Sequence, residues 1–440
     1  MIFPVERFRN IETPFYYYDM DVLDQTLAAI NEESAKHRDF VVHYAIKANA
    51  NPRILETIRK AGLGSDCVSG GEIQASLDAG FAPESIVFAG VGKSDWEINL
   101  GLDNDILCFN VESIAELEVI SELARLKGKT ARVAFRINPE IGAHTHANIT
   151  TGTAENKFGI AMSDIERITN LVQDLSNVEF VGLHFHIGSQ ILDMNDFRSL
   201  CNRINDIQNW FDIHNVKVET INVGGGLGVE YHNPDKQIIP DFKSYFDTFA
   251  KHLKLRNGQK VHFELGRAVV AQCGAMITKV LYVKQGVTKQ FACVDAGFTD
   301  LIRPALYQAY HHIENLQVTG DGLQVTRLEG NKVIRSDSPQ NLKTSTTSSS
   351  SLATLSQSAA TERNLTTSQP QNLTTVQPYN RKEYDVVGPI CESTDVFAKS
   401  REVAECHRGD LLAIRTAGAY GEIMASQYNC RKLPKAYFSK

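Results

Sequence analysis

At 440 residues the chain is too long for one small domain, and its 42% hydrophobic and 22% charged content suit a soluble enzyme with a large core. A net charge of −7 without a basic block argues against a nucleic-acid partner. Eight dispersed cysteines with no C-x-x-C pair imply neither a disulfide framework nor a zinc knuckle, and no run of about 18 apolar residues offers a membrane span.

The first residues, Met1 to Arg9, carry Glu6, Arg7 and Arg9 where a signal peptide would need an apolar core, so a cytoplasmic protein is expected. From 40 to 267, apolar runs alternate with helical periodicity. The runs are 40–47, 64–69, 85–90, 105–111, 131–138, 180–188, 219–226 and 260–267. Between them, apolar residues recur at helical spacing, as at Ile114, Leu117, Ile120 and Leu123. Eight strand-helix repeats in this length predict a (β/α)8 barrel, with an open doubly wound sheet as the competing α/β arrangement. After 270 the texture becomes β-rich, as at 275–283, 290–294 and 410–416, which reads as a second domain. Residues 317–381 are dominated by Ser, Thr, Gln and Asn, too polar to offset the entropy of ordering, so a mobile surface insertion is expected there.

Barrel active sites form at the C-terminal ends of the strands, and the polar residues of this chain gather at those positions. Lys47 ends the first strand, Asp66 lies near the end of the second, Arg136 and Asn138 end the fifth, and His186 and Ser189 end the sixth. Gly224, Gly225 and Gly226 end the seventh, and Glu264 and Arg267 the eighth. A desolvated lysine loses its proton more easily and forms a Schiff base with an aldehyde, which makes Lys47 a candidate anchor for pyridoxal 5'-phosphate. The bland alternative is a snorkelling strand-end lysine. The three glycines leave backbone N–H groups unobstructed for a phosphate, in the usual barrel location. Glu264 beside a pyridine nitrogen would keep the ring protonated and an effective electron sink, which suits decarboxylation better than racemisation; its structural alternative is a pair with Arg267. His186 is a flat ring for a planar cofactor, His184 reads as a core histidine, and no third ligand completes a metal site with them. In the second domain Cys391, beside Glu392 and after a Gly-Pro turn, is a plausible proton donor.

Seven blocks in order resemble the diaminopimelate decarboxylases. They are Tyr44-Ala45-Ile46-Lys47-Ala48-Asn49, His186-Ile187-Gly188-Ser189-Gln190, Gly224-Gly225-Gly226-Leu227-Gly228, Glu264-Leu265-Gly266-Arg267, Asp295-Ala296-Gly297 with Arg303-Pro304-Ala305-Leu306-Tyr307, Gly388-Pro389-Ile390-Cys391-Glu392-Ser393, and Gly418-Ala419-Tyr420-Gly421. The resemblance covers nearly the whole chain outside the polar insertion. It implies the barrel-plus-β-domain architecture shared with ornithine decarboxylase and alanine racemase. The segment 1–25 would join the β domain, 26–270 would form the barrel, and 271–440, interrupted by 317–381, the β-rich domain.

The same resemblance implies conversion of meso-2,6-diaminopimelate to L-lysine and carbon dioxide, the last step of lysine biosynthesis. Lys47 would carry the cofactor, His186 would stack on its ring and Glu264 would meet the ring nitrogen. Ser189, Gly224, Gly225, Gly226, Gly266 and Tyr420 would hold the phosphate. Arg267, Arg303, Tyr307 and Glu392 would hold the distal end of the substrate, with Arg267 and Tyr420 touching both molecules. Cys391 would protonate Cα, and its block would reach into the partner subunit's site, so a homodimer is implied. Leu265, where the family usually has proline, and Thr394, where it often has glycine, depart from the pattern. A decarboxylase of ornithine, arginine or carboxynorspermidine, or a non-catalytic cofactor-binding regulator, remains the alternative.

Overall fold

The computed structural model describes residues 1–141, 157–317, 328–329, 332–333 and 380–440. The β1 strand, Phe15–Tyr18, precedes the barrel. The barrel strands are β2 Phe40–Ala45, β3 Gly64–Cys67, β4 Ile86–Phe88, β5 Cys108–Val111, β6 Ala131–Arg136, β7 Val178–His184, β8 Thr220–Asn222 and β9 Lys260–Leu265. They close in that order, β9 pairing in parallel with β2, so the barrel is formed and the open sheet is not. All eight expected runs supply a strand. Several strands stop short of the residues expected to end them, because the chain turns as soon as it leaves the ladder. Lys47 sits in a 3₁₀ turn, Ile46–Ala48, and His186 lies beyond the end of β7.

Local chemistry starts the outer helices where the strands release the chain. Ser69, Ser113 and Asp193 each cap a helix by accepting a backbone N–H from its first turn, at Glu72, Glu116 and Asn195. Ile165–Asp174 then buries Ile165, Ile168 and Val172 along one stripe against the barrel, the spacing that a helix covering a sheet requires.

The C-terminal strands are β10 Gly274–Gln285, β11 Gln290–Val294, β12 Ile313–Asn315, β13 Leu328–Glu329, β14 Lys332–Val333, β15 Arg381–Val387, β16 Val396–Ala404, β17 Leu411–Ile414 and β18 Lys435–Phe438. Six form a sheet in the order β12-β17-β10-β11-β15-β16; β1 joins it by pairing antiparallel with β10 and parallel with β18. The β13 and β14 strands form a hairpin within a separate unit, Gln317–Asn380. The mobility expected for 317–381 concerns residues that lie for the most part outside those described. No helix among the described residues is long and apolar enough to cross a membrane.

Polar bonds lock the sheet to the barrel beside the rim. Asn49 donates from Nδ2 to the Tyr18 hydroxyl at 2.8 Å and to the Gly418 carbonyl at 2.9 Å, and its own carbonyl accepts from the Tyr44 hydroxyl at 2.9 Å. The Tyr420 N–H donates to the Ala48 carbonyl at 2.8 Å. The turn that carries Lys47 is thus held by both layers.

Candidate active site

A cavity at the C-terminal rim is lined by Lys47, Asp66, His186, Ser189, Gly226, Glu264, Leu265, Gly266, Arg267 and Tyr420. Residues from the ends of five barrel strands and from the second domain therefore meet at one place, as their strand-end positions require.

At one end, Lys47 Nζ lies 3.3 Å from Asp66 Oδ2. Burial favours the neutral amine, but the carboxylates of Asp66 and Glu264 outweigh it, so the pKa of Lys47 is raised. This corrects the expectation that desolvation would strip its proton. Burial and the nearby Glu264 push the Asp66 carboxyl up to about 8 against the opposing pull of Lys47. Its other oxygen, Oδ1, is buried with no hydrogen-bond partner.

Glu264 lies at the floor of the cavity and does not pair with Arg267. Its Oε1 accepts from Asn222 Nδ2 at 2.6 Å and Asn110 Nδ2 at 3.2 Å, and its Oε2 is 3.0 Å from His184 Nε2. Burial alone would raise its pKa; His184, Lys47 and His186 reverse the effect and hold the carboxyl well below the usual range. His184, read from sequence as a core residue, is thus a direct partner of Glu264. Burial, with the charges of Arg136 and Lys47, holds the His186 ring well below its ordinary pKa, and its Nδ1 accepts the Gly225 N–H at 3.3 Å.

The glycine turn has less freedom than the sequence suggests. A Cβ on Gly225 would lie 1.9 Å from the Glu264 carbonyl, and one on Gly224 would lie 2.3 Å from the Phe185 carbonyl, so glycine is required for backbone packing. The Gly224 N–H donates to Asn222 Oδ1 at 2.9 Å, and the Gly225 N–H is engaged by His186. Of the three, Gly226 lines the cavity.

At the other end stand two buried guanidinium groups. Arg267 donates to the Tyr231 hydroxyl at 2.7 Å and to Ser189 Oγ at 3.1 Å, and it lies 4.9 Å from the centre of the Tyr420 ring. Arg303 donates to His311 Nε2 at 2.8 Å and lies 5.0 Å from the centre of the Tyr231 ring. Because His311 Nδ1 must donate to the Arg415 carbonyl, at 2.9 Å, its Nε2 is the acceptor and the ring is neutral. Burial and the Arg303 charge accordingly push its pKa down to about 3. Among the described residues no carboxylate forms an ion pair with Arg267 or Arg303, whereas Arg136 has Glu112 at 2.7 Å. A buried cation without an anion is costly, so this end calls for an anionic ligand.

Tyr307 is half-buried near Arg267, on the short helix that begins with Arg303. Cys391 and Glu392 are exposed and outside the cavity lining; Glu392 accepts from the Tyr428 hydroxyl at 2.7 Å. Leu265 takes a place in the barrel ladder opposite Tyr44, and Thr394 is exposed. Tyr231, His311, Asn110 and Asn222 were not singled out by the sequence motifs. The two asparagines had a signal all the same, being amides inside apolar strand runs, where an unpaired polar group would be expensive.

The donor set fits pyridoxal phosphate: an amine for an aldehyde, an anionic carboxylate for a pyridine nitrogen, and hydroxyl and backbone donors beside a guanidinium for a phosphate. Family models agree. Residues 23–271 match the pyridoxal binding domain of the pyridoxal-dependent decarboxylases, and 342–418 match their C-terminal sheet domain. The chain is 56% identical over 438 residues to a diaminopimelate decarboxylase of Bacteroides thetaiotaomicron, covering 100% of this chain and 98% of that one. It is 37% identical to one from Helicobacter pylori, covering 97% and 90%. A crystal structure of a Helicobacter pylori diaminopimelate decarboxylase complexed with L-lysine superposes with a TM-score of 0.80 at 35% identity, covering 99% of this chain and 94% of that one. The chain therefore belongs to the pyridoxal-dependent decarboxylases, within the diaminopimelate decarboxylase family.

Proposed function

We propose that the chain decarboxylates meso-2,6-diaminopimelate to L-lysine and carbon dioxide, as a homodimer with two sites at the subunit interface. The observation that carries this reading is the pair of buried guanidinium groups, Arg267 and Arg303, beside a Lys47–Glu264 cofactor seat and without an acid of their own. A substrate with a second carboxylate far from its reacting carbon supplies that missing anion; ornithine does not.

In this reading Lys47 would hold the cofactor's aldehyde carbon, His186 its ring face and Glu264 its ring nitrogen. Ser189, Gly226 of the glycine turn, Gly266 and Tyr420 would hold its phosphate, with Arg267 placed between phosphate and substrate. Bound pyridoxal phosphate supplies an electron sink for the pair left behind when a carbon–carboxylate bond of an amino acid breaks. The chain's residues do the rest. Glu264, anionic and fixed, keeps a proton on the ring nitrogen. Arg303, steered by His311 and Tyr231, grips the distal carboxylate, with Tyr307 beside it. Glu392 takes the distal ammonium and Cys391 Sγ delivers a proton to Cα, both from the partner subunit, in keeping with their exposed positions outside this chain's cavity.

The test combines substrate and assembly. Purified protein with pyridoxal phosphate should release carbon dioxide and lysine from meso-diaminopimelate and little carbon dioxide from ornithine; equal use of both would overturn the substrate assignment. Lys47→Ala and Cys391→Ala variants, each inactive alone, should recover up to about a quarter of wild-type activity when mixed and allowed to exchange subunits, because the mixed dimer regains one intact site. No recovery despite exchange would place Cys391 in its own chain's site or remove it from the chemistry.

A further inference from the structure

Three donors converge on the Glu264 carboxylate from inside the barrel, and one also reaches the glycine turn. The Asn222 side chain accepts the Gly224 N–H on Oδ1 at 2.9 Å, which fixes its amide orientation and turns Nδ2 to Glu264 Oε1 at 2.6 Å. The backbone closes the same loop, since the Glu264 N–H donates to the Gly224 carbonyl at 2.8 Å. Asn110 is the second donor to Oε1, and His184 Nε2 reaches Oε2. Asn222 is 5% exposed, Asn110 and His184 1% each, so water cannot replace these donors.

The consequence lies in the count of lone pairs. A carboxylate oxygen accepts about two hydrogen bonds. Oε1 is filled by the two asparagines, while Oε2 has His184 and one direction left. Lys47 and His186 line the same cavity as Glu264, which is where that direction is available. All three donors sit on barrel strands, Asn110 on β5, His184 on β7 and Asn222 on β8, so the carboxylate is held by the scaffold and not by a mobile loop.

We propose that Asn222 is a positioning residue for the reaction: its amide fixes the Glu264 carboxylate toward the cofactor's ring nitrogen and ties it in register to the glycine turn, with Asn110 and His184 completing the hold. The inference rests on the reading of Glu264 as the ring-nitrogen partner. Asn222 bridges the two seats in a single side chain, so one amide, together with the Glu264–Gly224 backbone bond, ties the ring-nitrogen contact to the glycine turn. The two asparagine amides also suit the task better than an arginine or lysine would. They orient the carboxylate without neutralising the charge that the ring nitrogen needs.

Asn222→Asp separates the two bonds. The aspartate keeps an oxygen for the Gly224 N–H but sets an acceptor against Glu264 Oε1. Asn222→Ala removes both bonds, and Asn110→Asp attacks the same carboxylate oxygen without touching the turn. The readout is the 15N NMR shift of ring-labelled pyridoxal phosphate bound to each variant, together with cofactor affinity, melting temperature, kcat and KM. Asn222→Asp and Asn110→Asp should move the ring-nitrogen signal toward the unprotonated position and lower kcat by about 10- to 100-fold with KM within about twofold. Asn222→Ala should in addition weaken cofactor binding. Glu264→Gln separates the two layers of the argument. If it leaves the ring signal at the wild-type position, the Glu264 assignment fails and the proposal with it. If it moves the signal while both aspartate variants fold and keep the wild-type signal and kcat, the Glu264 reading stands and the role of Asn222 is overturned.

Discussion

The two mouths of the barrel both carry charge but dispose of it differently. Around the beginnings of the strands a cavity of about 550 Å³ is lined by Arg132, Asp212, Lys217, Glu219, Arg256 and Lys260 among others. There Arg256 lies 2.6 Å from Asp212 and Lys217 lies 2.7 Å from Glu219. At the rim formed by the strand ends the cavity is only about 40 Å³, yet beside it Arg267 and Arg303 are buried against neutral tyrosine, serine and histidine. The lesson is that uncompensated charge, more than open volume, marks where a ligand belongs. Exposed ion pairs satisfy themselves and are worth little; buried cations without an acid hold unspent binding energy for an anion.

The comparison breaks most severely if the rim lysine is dispensable. Lys47→Ala should lower carbon dioxide release on the order of 10⁴-fold or more, with the fold retained by circular dichroism. Acid stability sharpens the picture next, because each mouth contains a buried neutral histidine. Burial pushes His311 and His262 down to about 3, helped by the charge of Arg303 in one case and by His43 in the other. The unfolded chain takes up these protons below about pH 6.5 and the folded chain does not, so stability falls as the pH drops from about 6.5 toward 3, by about 1.4 kcal/mol per pH unit for each histidine. Urea melts of His262→Gln should show an acid limb shallower by about that amount.

Smaller effects separate the two ends. His311→Leu removes the acceptor of Arg303, and should raise KM for meso-diaminopimelate about tenfold with little change in kcat; steady-state kinetics with that substrate decides this. Lys217→Ala, at the opposite mouth, should leave turnover at the wild-type level and change stability by less than about 1 kcal/mol, as read from turnover and urea melts.

Much of this was legible in the sequence because barrels impose a simple rule. Eight runs gave eight strands, and residues written at strand ends converged on one rim: Lys47, Asp66, His186, Ser189, Glu264 and Arg267 all line one cavity. Pairwise geometry was not legible. Sequence placed Lys47 in a desolvating site but could not show Asp66 at 3.3 Å, which reverses the direction of its pKa shift. It identified three open glycine N–H groups, whereas Asn222 and His186 engage two of them. It named Arg303 through its motif but missed Tyr231 and His311, because these are brought to it by tertiary packing and have no local pattern of their own. His184 reads as core from its apolar neighbours; only the closed barrel puts it against Glu264 from a strand 80 residues away.

The most direct test of the central claim is the ratio of kcat/KM for meso-diaminopimelate over L-lysine, which lacks the distal carboxylate, in wild type and in Arg303→Ala. The uncompensated guanidinium should be worth on the order of 100-fold in that ratio, appearing mainly in KM for diaminopimelate. A ratio unchanged by Arg303→Ala, in a variant that binds pyridoxal phosphate normally, would contradict the account.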